Sequence, residues 1–301
     1  MPSTTRAGYV IHPDSSSFLK NRFIKLSLTY ISLDFLSTLI TKDPYFVLGP
    51  NSRVLPSFLH GIHPWVRDCC RSLLVLTSIY LAIVWVVTFI DLYQYAVGGY
   101  FIPLRRDTWT HSTLFGAPGN VLDRGLAGFW GGTWHQIFRL GFTAPATWLV
   151  KQGYLEENST QAKLAAMAFA FGNSGILHMC GSYTTVPDTK WWRPGLFFAY
   201  QAVGIVMQIG FCHLFGAQIG KLPTWARKAG NLLFVLAWLE LACWPLADDF
   251  ATGGVWLFEP VPVSLFRGLG WFGSEGERWW RWDRPHQLQV RCGQHWWECG
   301  I

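Results

Sequence analysis

Two histidines stand in stretches that are otherwise soluble in lipid. His178 lies in AKLAAMAFAFGNSGILHMCGSY, residues 162–183, and is the only side chain there that titrates near neutral pH. An ionisable group inside a transmembrane helix marks a functional site by default. A neutral imidazole can take a proton from a substrate hydroxyl. The competing reading is a core histidine hydrogen-bonded to backbone or to Ser174, which sits four residues earlier on the same helical face. The second histidine belongs to GLAGFWGGTWHQIFRLGF, residues 125–142. At helical spacing Trp130, Trp134 and Phe138 share one face, with His135 and Arg139 on the adjacent one. His135 and Gln136 supply donors for a carbonyl oxygen on which negative charge develops. Arg139 suits a phosphate or carboxylate, and Trp130 and Trp134 suit a flat ring. Gly131 and Gly132 would let a ligand or another chain approach the backbone closely. The same residues also describe an interfacial amphipathic helix, with Trp and Arg at headgroup level.

Other chemistries lack their marks. There is no Gly-x-Ser-x-Gly elbow, no P-loop and no dinucleotide fingerprint. No aspartate-rich pair of the kind that holds magnesium diphosphate is present, and Asp248-Asp249 is the nearest approach to one. His60 and His63 precede Cys69 and Cys70, but at no common metal-site spacing. The seven cysteines are scattered and odd in number, without a CxxC pair, which argues against a disulfide framework or a zinc site. No metal is expected.

These residues must be positioned by membrane helices. Half of the 301 residues are apolar and 14% are charged, against roughly 25% in soluble domains. Tryptophan occurs 18 times, and the mean hydropathy is positive. The composition is that of a polytopic membrane protein. The net charge of +6 fits basic loops facing anionic lipid, and no basic run is long enough for nucleic acid. Residues 1–22 read as a polar tail without the apolar core of a signal peptide. Apolar runs of crossing length follow, at about 20 residues per span. Phe23–Ile40 carries Lys25 and Asp34, with Asp34 expected near one end and hydrated. Ser72–Ile90 has no charge. Ala162–Tyr183, Leu196–Phe215 and Asn231–Leu246, interrupted by Glu240, complete about five spans. Small residues in the third of these favour close helix packing. Tyr93–Leu104 and the Pro- and Gly-broken Asp248–Gly270 read as re-entrant or interfacial pieces. Thr41–Arg71 reads as a loop. Basic residues place the start of the Ser72 span and the loop carrying Lys221, Arg227 and Lys228 on the cytoplasmic side. The Trp- and Arg-rich tail, WWRWDRPHQ and HWWEC, is expected on the membrane surface. Asn158-Ser159-Thr160 is a glycosylation sequon, informative only if its loop is lumenal.

Phe129-Trp130-Gly131-Gly132-Thr133-Trp134-His135-Gln136, followed by Phe138-Arg139, resembles the Phe-Trp-Gly-x-x-Trp-His-Gln signature of the wax-synthase-like branch of membrane-bound O-acyltransferases. Ser174-Gly175-Ile176-Leu177-His178 resembles that family's Ser-x-x-x-His element, whose histidine is regarded as catalytic. Gly253-Gly254-Val255-Trp256-Leu257-Phe258-Glu259-Pro260-Val261-Pro262 is similar to fungal members that acetylate terpenoid and meroterpenoid natural products. The resemblance runs from Phe23 to the Trp-rich tail. It departs at Thr133, where members often carry a basic residue, and at the start, where one or more N-terminal helices are expected to be missing.

The resemblance implies an all-α, polytopic helical bundle, residues 23–301, whose spans and re-entrant pieces enclose a catalytic chamber. It implies transfer of an acetyl group from acetyl-CoA, as co-substrate, to a hydroxyl of a lipophilic terpenoid or meroterpenoid. His178 would be the general base and His135, with Gln136, would stabilise the oxyanion. Trp130, Trp134, Arg139 and Ser174 would shape the donor and acceptor site. The partners are then the hydroxylated acceptor, acetyl-CoA and membrane lipid, with no bound cofactor and no nucleic acid. The expected location is an integral, multi-pass one in the endoplasmic reticulum. Two alternatives belong to other classes. A membrane terpene cyclase or isomerase would use Asp34, Glu240 or Glu259 as acids and need no CoA. A lipid- or sterol-binding protein would tolerate loss of both histidines.

Overall fold

Helix α1, Ser15–Ile40, begins where the Asp14 carboxylate accepts the Ser17 N–H at 2.9 Å, an N-cap that satisfies one of the orphan donors of the first turn. The helix therefore starts within the stretch predicted as tail, because a capped run of serines can join the first turn. The computed structural model describes residues 8, 10–52, 54–185, 188–271, 279–282, 291–292 and 299–300. In chain order there follow α2 (Pro44–Leu48), α3 (Pro64–Tyr93), a π turn over Gln94–Gly98, and α4 (Gly99–Phe101). Then come α5 (Gly119–Gly128), a second π turn over Phe129–Thr133, α6 (Arg139–Lys151), α7 (Thr160–Tyr183), α8 (Arg193–Leu214) and α9 (Gly216–Gly220). The long α10 (Thr224–Thr252) and the short α11 (Leu265–Gly268) complete the helices. A two-residue antiparallel pair joins Arg291–Cys292 to Cys299–Gly300. HWWEC and the end of WWRWDRPHQ lie largely outside the described residues.

Five helices are long and apolar enough to cross a membrane: Ser15–Ile40, Pro64–Phe101, Thr160–Tyr183, Arg193–Leu214 and Thr224–Thr252. The chain is a polytopic, helical membrane protein. Three boundaries differ from expectation. α3 starts at Pro64, with His63 as N-cap, rather than after a loop reaching Arg71, because proline at the first helical position is already set for the helix. Residues 93–101 continue α3 through the π turn instead of re-entering, since a π turn absorbs one extra residue without ending the helix. α10 runs through Pro245 to Thr252, so Asp248 and Asp249 are helical.

The residues fall into two units. One contains residues 12–111, 182–190 and 246–301. There α1 packs on α3, and buried charges are met by opposite charges or backbone donors. Arg22 Nε meets Asp91 at 2.9 Å, and the Arg71 guanidinium grips Asp43 through two bonds of 2.7 and 2.8 Å. Asp34 is not hydrated, as predicted, but fully buried. Its Oδ2 accepts the Leu265 and Phe266 N–H groups at 2.6 and 3.2 Å, so the first donors of α11 replace water. Glu259 is held by Arg267 at 2.6 Å and Arg281 at 2.8 Å. Asp248 accepts from the Tyr45 hydroxyl and Asp249 from Ser182. Among the described residues no three His, Cys, Asp or Glu side chains converge as a metal cluster.

The other unit contains residues 1–11, 112–181 and 191–245. Its helices approach through small residues. A Cβ on Gly175 of α7 would lie 3.3 Å from Gly195 Cα of α8, and one on Gly204 of α8 would overlap Trp238 of α10. This close packing is the use expected of glycine between membrane helices. Both histidines lie in this unit.

Candidate active site

The segment that carries His135 is aimed by a break in α5. Gly125 has φ 57° and ψ −135°, a conformation open to glycine and strained for other residues. After the break come the π turn over Phe129–Thr133 and then Trp134, whose ψ of 155° is extended. Trp130, Trp134 and Phe138 therefore do not form one helical face, and His135 and Arg139 do not share an adjacent one. The rings meet by folding instead. Trp130 and Trp134 lie 5.9 Å apart between centroids, and Trp134 and His135 lie 5.5 Å apart. Phe138 stacks on Phe142 at 5.2 Å and meets the His135 ring edge-on at 6.4 Å.

Two predicted site residues are used on the segment's own backbone. Gln136 Nε2 donates to the carbonyls of Trp130 and Trp134, both at 2.7 Å, and its Oε1 accepts from Arg139 at 3.1 Å. Arg139, which is exposed, also donates to the Gly131 carbonyl at 2.9 Å. These bonds tie the turn together, and Gln136 has no amide hydrogen left for an oxyanion. Thr133 donates to the Ala117 carbonyl at 3.0 Å.

His178 sits on α7, half-buried, with its ring 4.7 Å from Phe198 of α8. Its Nδ1 lies 2.8 Å from the Ser174 carbonyl. A carbonyl only accepts, so Nδ1 carries the hydrogen and, in the neutral ring, Nε2 carries the lone pair. Ser174 acts through its backbone rather than its hydroxyl. Phe198 also contacts Trp130 at 6.2 Å, and the Trp130 indole donates to the buried Gln201 at 3.2 Å. The chain of rings thus runs from His135 through Trp134, Trp130 and Phe198 to His178. Burial holds His135 below its ordinary value of 6.5, and the neighbouring His178 lowers it further. His135 Nδ1 is buried with no hydrogen-bond partner among the described residues. Such an atom is costly unless something pairs with it.

A hollow of about 360 Å³ opens between α7 and α8, lined by Phe171, Gly175, Ile176, Met179, Gly195 and Ala199 among others. Its size falls in the range of small-molecule sites. Neither imidazole lines it, although Phe171 touches Trp130 at 5.8 Å. Two of the three acids named for a cyclase are engaged: Asp34 with backbone N–H groups and Glu259 with two arginines.

Three amides went unnoticed in the sequence: Gln201, Gln208 and Asn231. The two glutamines are seven residues apart, and so on one face of an apolar helix. That spacing was the available signal.

The chain is similar to known acetyltransferases. It is 34% identical over 147 residues to the acetyltransferase ple2 of Rhodocybe pseudopiperita, covering 46% of this chain and 38% of the relative. It is 31% identical over 141 residues to the acetyltransferase spyB of Aspergillus fumigatus, covering 46% of this chain and 23% of that relative. The matched stretch thus spans well under half of either relative's length. No solved structure matches significantly. Residues 111–200, which include both histidines and the whole aromatic segment, match the model of the membrane bound O-acyl transferase family, and it is this family that the chain resembles.

Proposed function

We propose that the chain carries the active centre of a multi-pass membrane O-acyltransferase. In this reading an acetyl group passes from acetyl-CoA to a hydroxyl of a lipophilic terpenoid or meroterpenoid, in the endoplasmic reticulum. The observation that carries it is the chain of rings linking His178, whose Nδ1 is committed to a carbonyl, to His135, whose Nδ1 is buried and has no hydrogen-bond partner among the described residues. His178 Nε2 takes the proton of the acceptor hydroxyl. The oxygen attacks the thioester carbonyl, the C–S bond breaks, and the proton returns through His178 to the CoA sulfur. His135 as an N–H donor stabilises the oxyanion of the tetrahedral intermediate. Trp130 and Trp134 form the apolar wall beside the reacting atoms. Gln136 and Arg139 hold the wall's turn rather than touching substrate, and Ser174 orients His178 through its carbonyl. The two relatives named acetyltransferases support an acetyl donor.

Membranes containing the chain are incubated with hydroxylated terpenoids, with and without acetyl-CoA, and the products are weighed by mass spectrometry. Gain of one acetyl group, dependent on acetyl-CoA and lost in His178→Ala, is expected. A changed terpenoid skeleton without acetyl-CoA would instead mark a cyclase.

A further inference from the structure

We infer that Gln208 of α8 and Asn231 of α10 form a two-amide splint across the break in α5, and that they are positioning residues for the proposed transfer. The inference rests on the reading of His135 given above. In an unbroken helix the Leu126 N–H would bond to the Leu122 carbonyl, four residues earlier. Here those two groups are joined through side chains. Leu126 N–H donates to Gln208 Oε1 at 2.9 Å. Gln208 Nε2 donates to Asn231 Oδ1 at 3.0 Å. Asn231 Nδ2 donates to the Leu122 carbonyl at 2.8 Å. The direction of the relay is set at both ends, because an N–H only donates and a carbonyl only accepts. Each link must therefore both accept and donate, which an amide does and a carboxylate does not.

Gly125 completes the device. With φ at +57°, a Cβ there would overlap the Gln208 amide, so only glycine admits the splint. Gln208 is 9% exposed, and its pairing spares buried polar groups from going unmatched. The chain leaves this break for the π turn, Trp134 and His135. The angle at Gly125 thus sets where the Trp130–His135 segment lies. A displacement of about 1 Å in a catalytic segment can cost on the order of 100-fold in rate.

The test uses the full chain in detergent, as wild type, Gln208→Met, Gln208→Glu and Asn231→Leu. Hydrogen exchange followed by mass spectrometry reads the splint without any substrate. Exchange in peptides from residues 119–136 should rise about tenfold in all three variants, the scale of one lost hydrogen bond. Peptides from α7 and the rest of α8 and α10 should keep their protection. Unchanged exchange at 119–136 overturns the splint. Loss of protection throughout every variant makes the amides general fold elements and overturns the positioning role. Wild-type behaviour of Gln208→Glu overturns the relay in favour of a simple cap on Leu126. With an acceptor that wild type acetylates, kcat per folded molecule should fall about 10- to 100-fold, with KM for acetyl-CoA little changed. A normal kcat with raised local exchange also overturns the positioning role. If wild type transfers acetyl to nothing while the exchange pattern holds, the proposed function fails and the splint stands.

Discussion

Replacing His178 with alanine should separate chemistry from folding. The side chain makes one hydrogen bond, Nδ1–H to the Ser174 carbonyl at 2.8 Å, and one close ring contact, with Phe198 at 4.7 Å. The first is worth about 1 kcal/mol and the second about 0.5–1.5 kcal/mol. Their loss removes about 2 kcal/mol from a typical stability of about 5–15 kcal/mol, which leaves the protein folded. A general base contributes about 10²- to 10⁴-fold in rate, or about 3–5 kcal/mol of barrier. The two effects therefore differ in kind as well as in size. The assay is acetyl ester formed per mole of monodisperse, detergent-purified protein, with thermal unfolding measured on the same sample. The expected result is turnover at least about 100-fold down in a protein whose unfolding midpoint moves by a few degrees. Near-normal turnover from the folded variant would refute the assignment. So would a loss of turnover that merely follows the loss of folded protein.

Other expectations follow from individual contacts. Gly125→Ala should be among the most damaging small substitutions in the chain. It adds strain of about 1–3 kcal/mol at a sparsely populated backbone conformation and displaces the Gln208 amide, so the thermal unfolding midpoint should drop; an unchanged midpoint would refute the break at Gly125. Because His135 is held below 6.5 in the folded protein, the unfolded chain binds more protons just under that pH. Stability should then fall as pH drops below 6.5 and be flat above it, and His135→Gln should reduce the slope in thermal-shift measurements from pH 5 to 8. Glu259→Gln leaves two arginines without their shared carboxylate and should cost about 3–5 kcal/mol. Turnover per folded molecule should be unchanged, whereas a stable but inactive variant would revive an acid role for Glu259.

Each span is a local property of the chain, because crossing a membrane requires a run of apolar residues long enough to do so. The five spans were therefore legible, with errors at their ends where capping by Asp14 and His63 decided the start. The two histidines stood out as candidates for the same reason: an imidazole in an apolar run is costly and so conspicuous. Asp34 was misread because its partners, the Leu265 and Phe266 N–H groups, are more than 230 residues away in sequence.

By itself, the sequence determined a helical membrane protein and set His135 and His178 apart as candidates for chemistry. Only the tertiary structure decided the chain of rings that runs between them. Helical spacing could not show that α5 breaks at Gly125, because the groups freed there are satisfied from Gln208, 82 residues on, and Asn231, 109 residues on. Nor could it show that Gln136 and Arg139 brace a turn, since that follows from the shape the break imposes. Apolar burial is written locally along the chain, but the pairing of buried polar groups is settled only when distant helices come together.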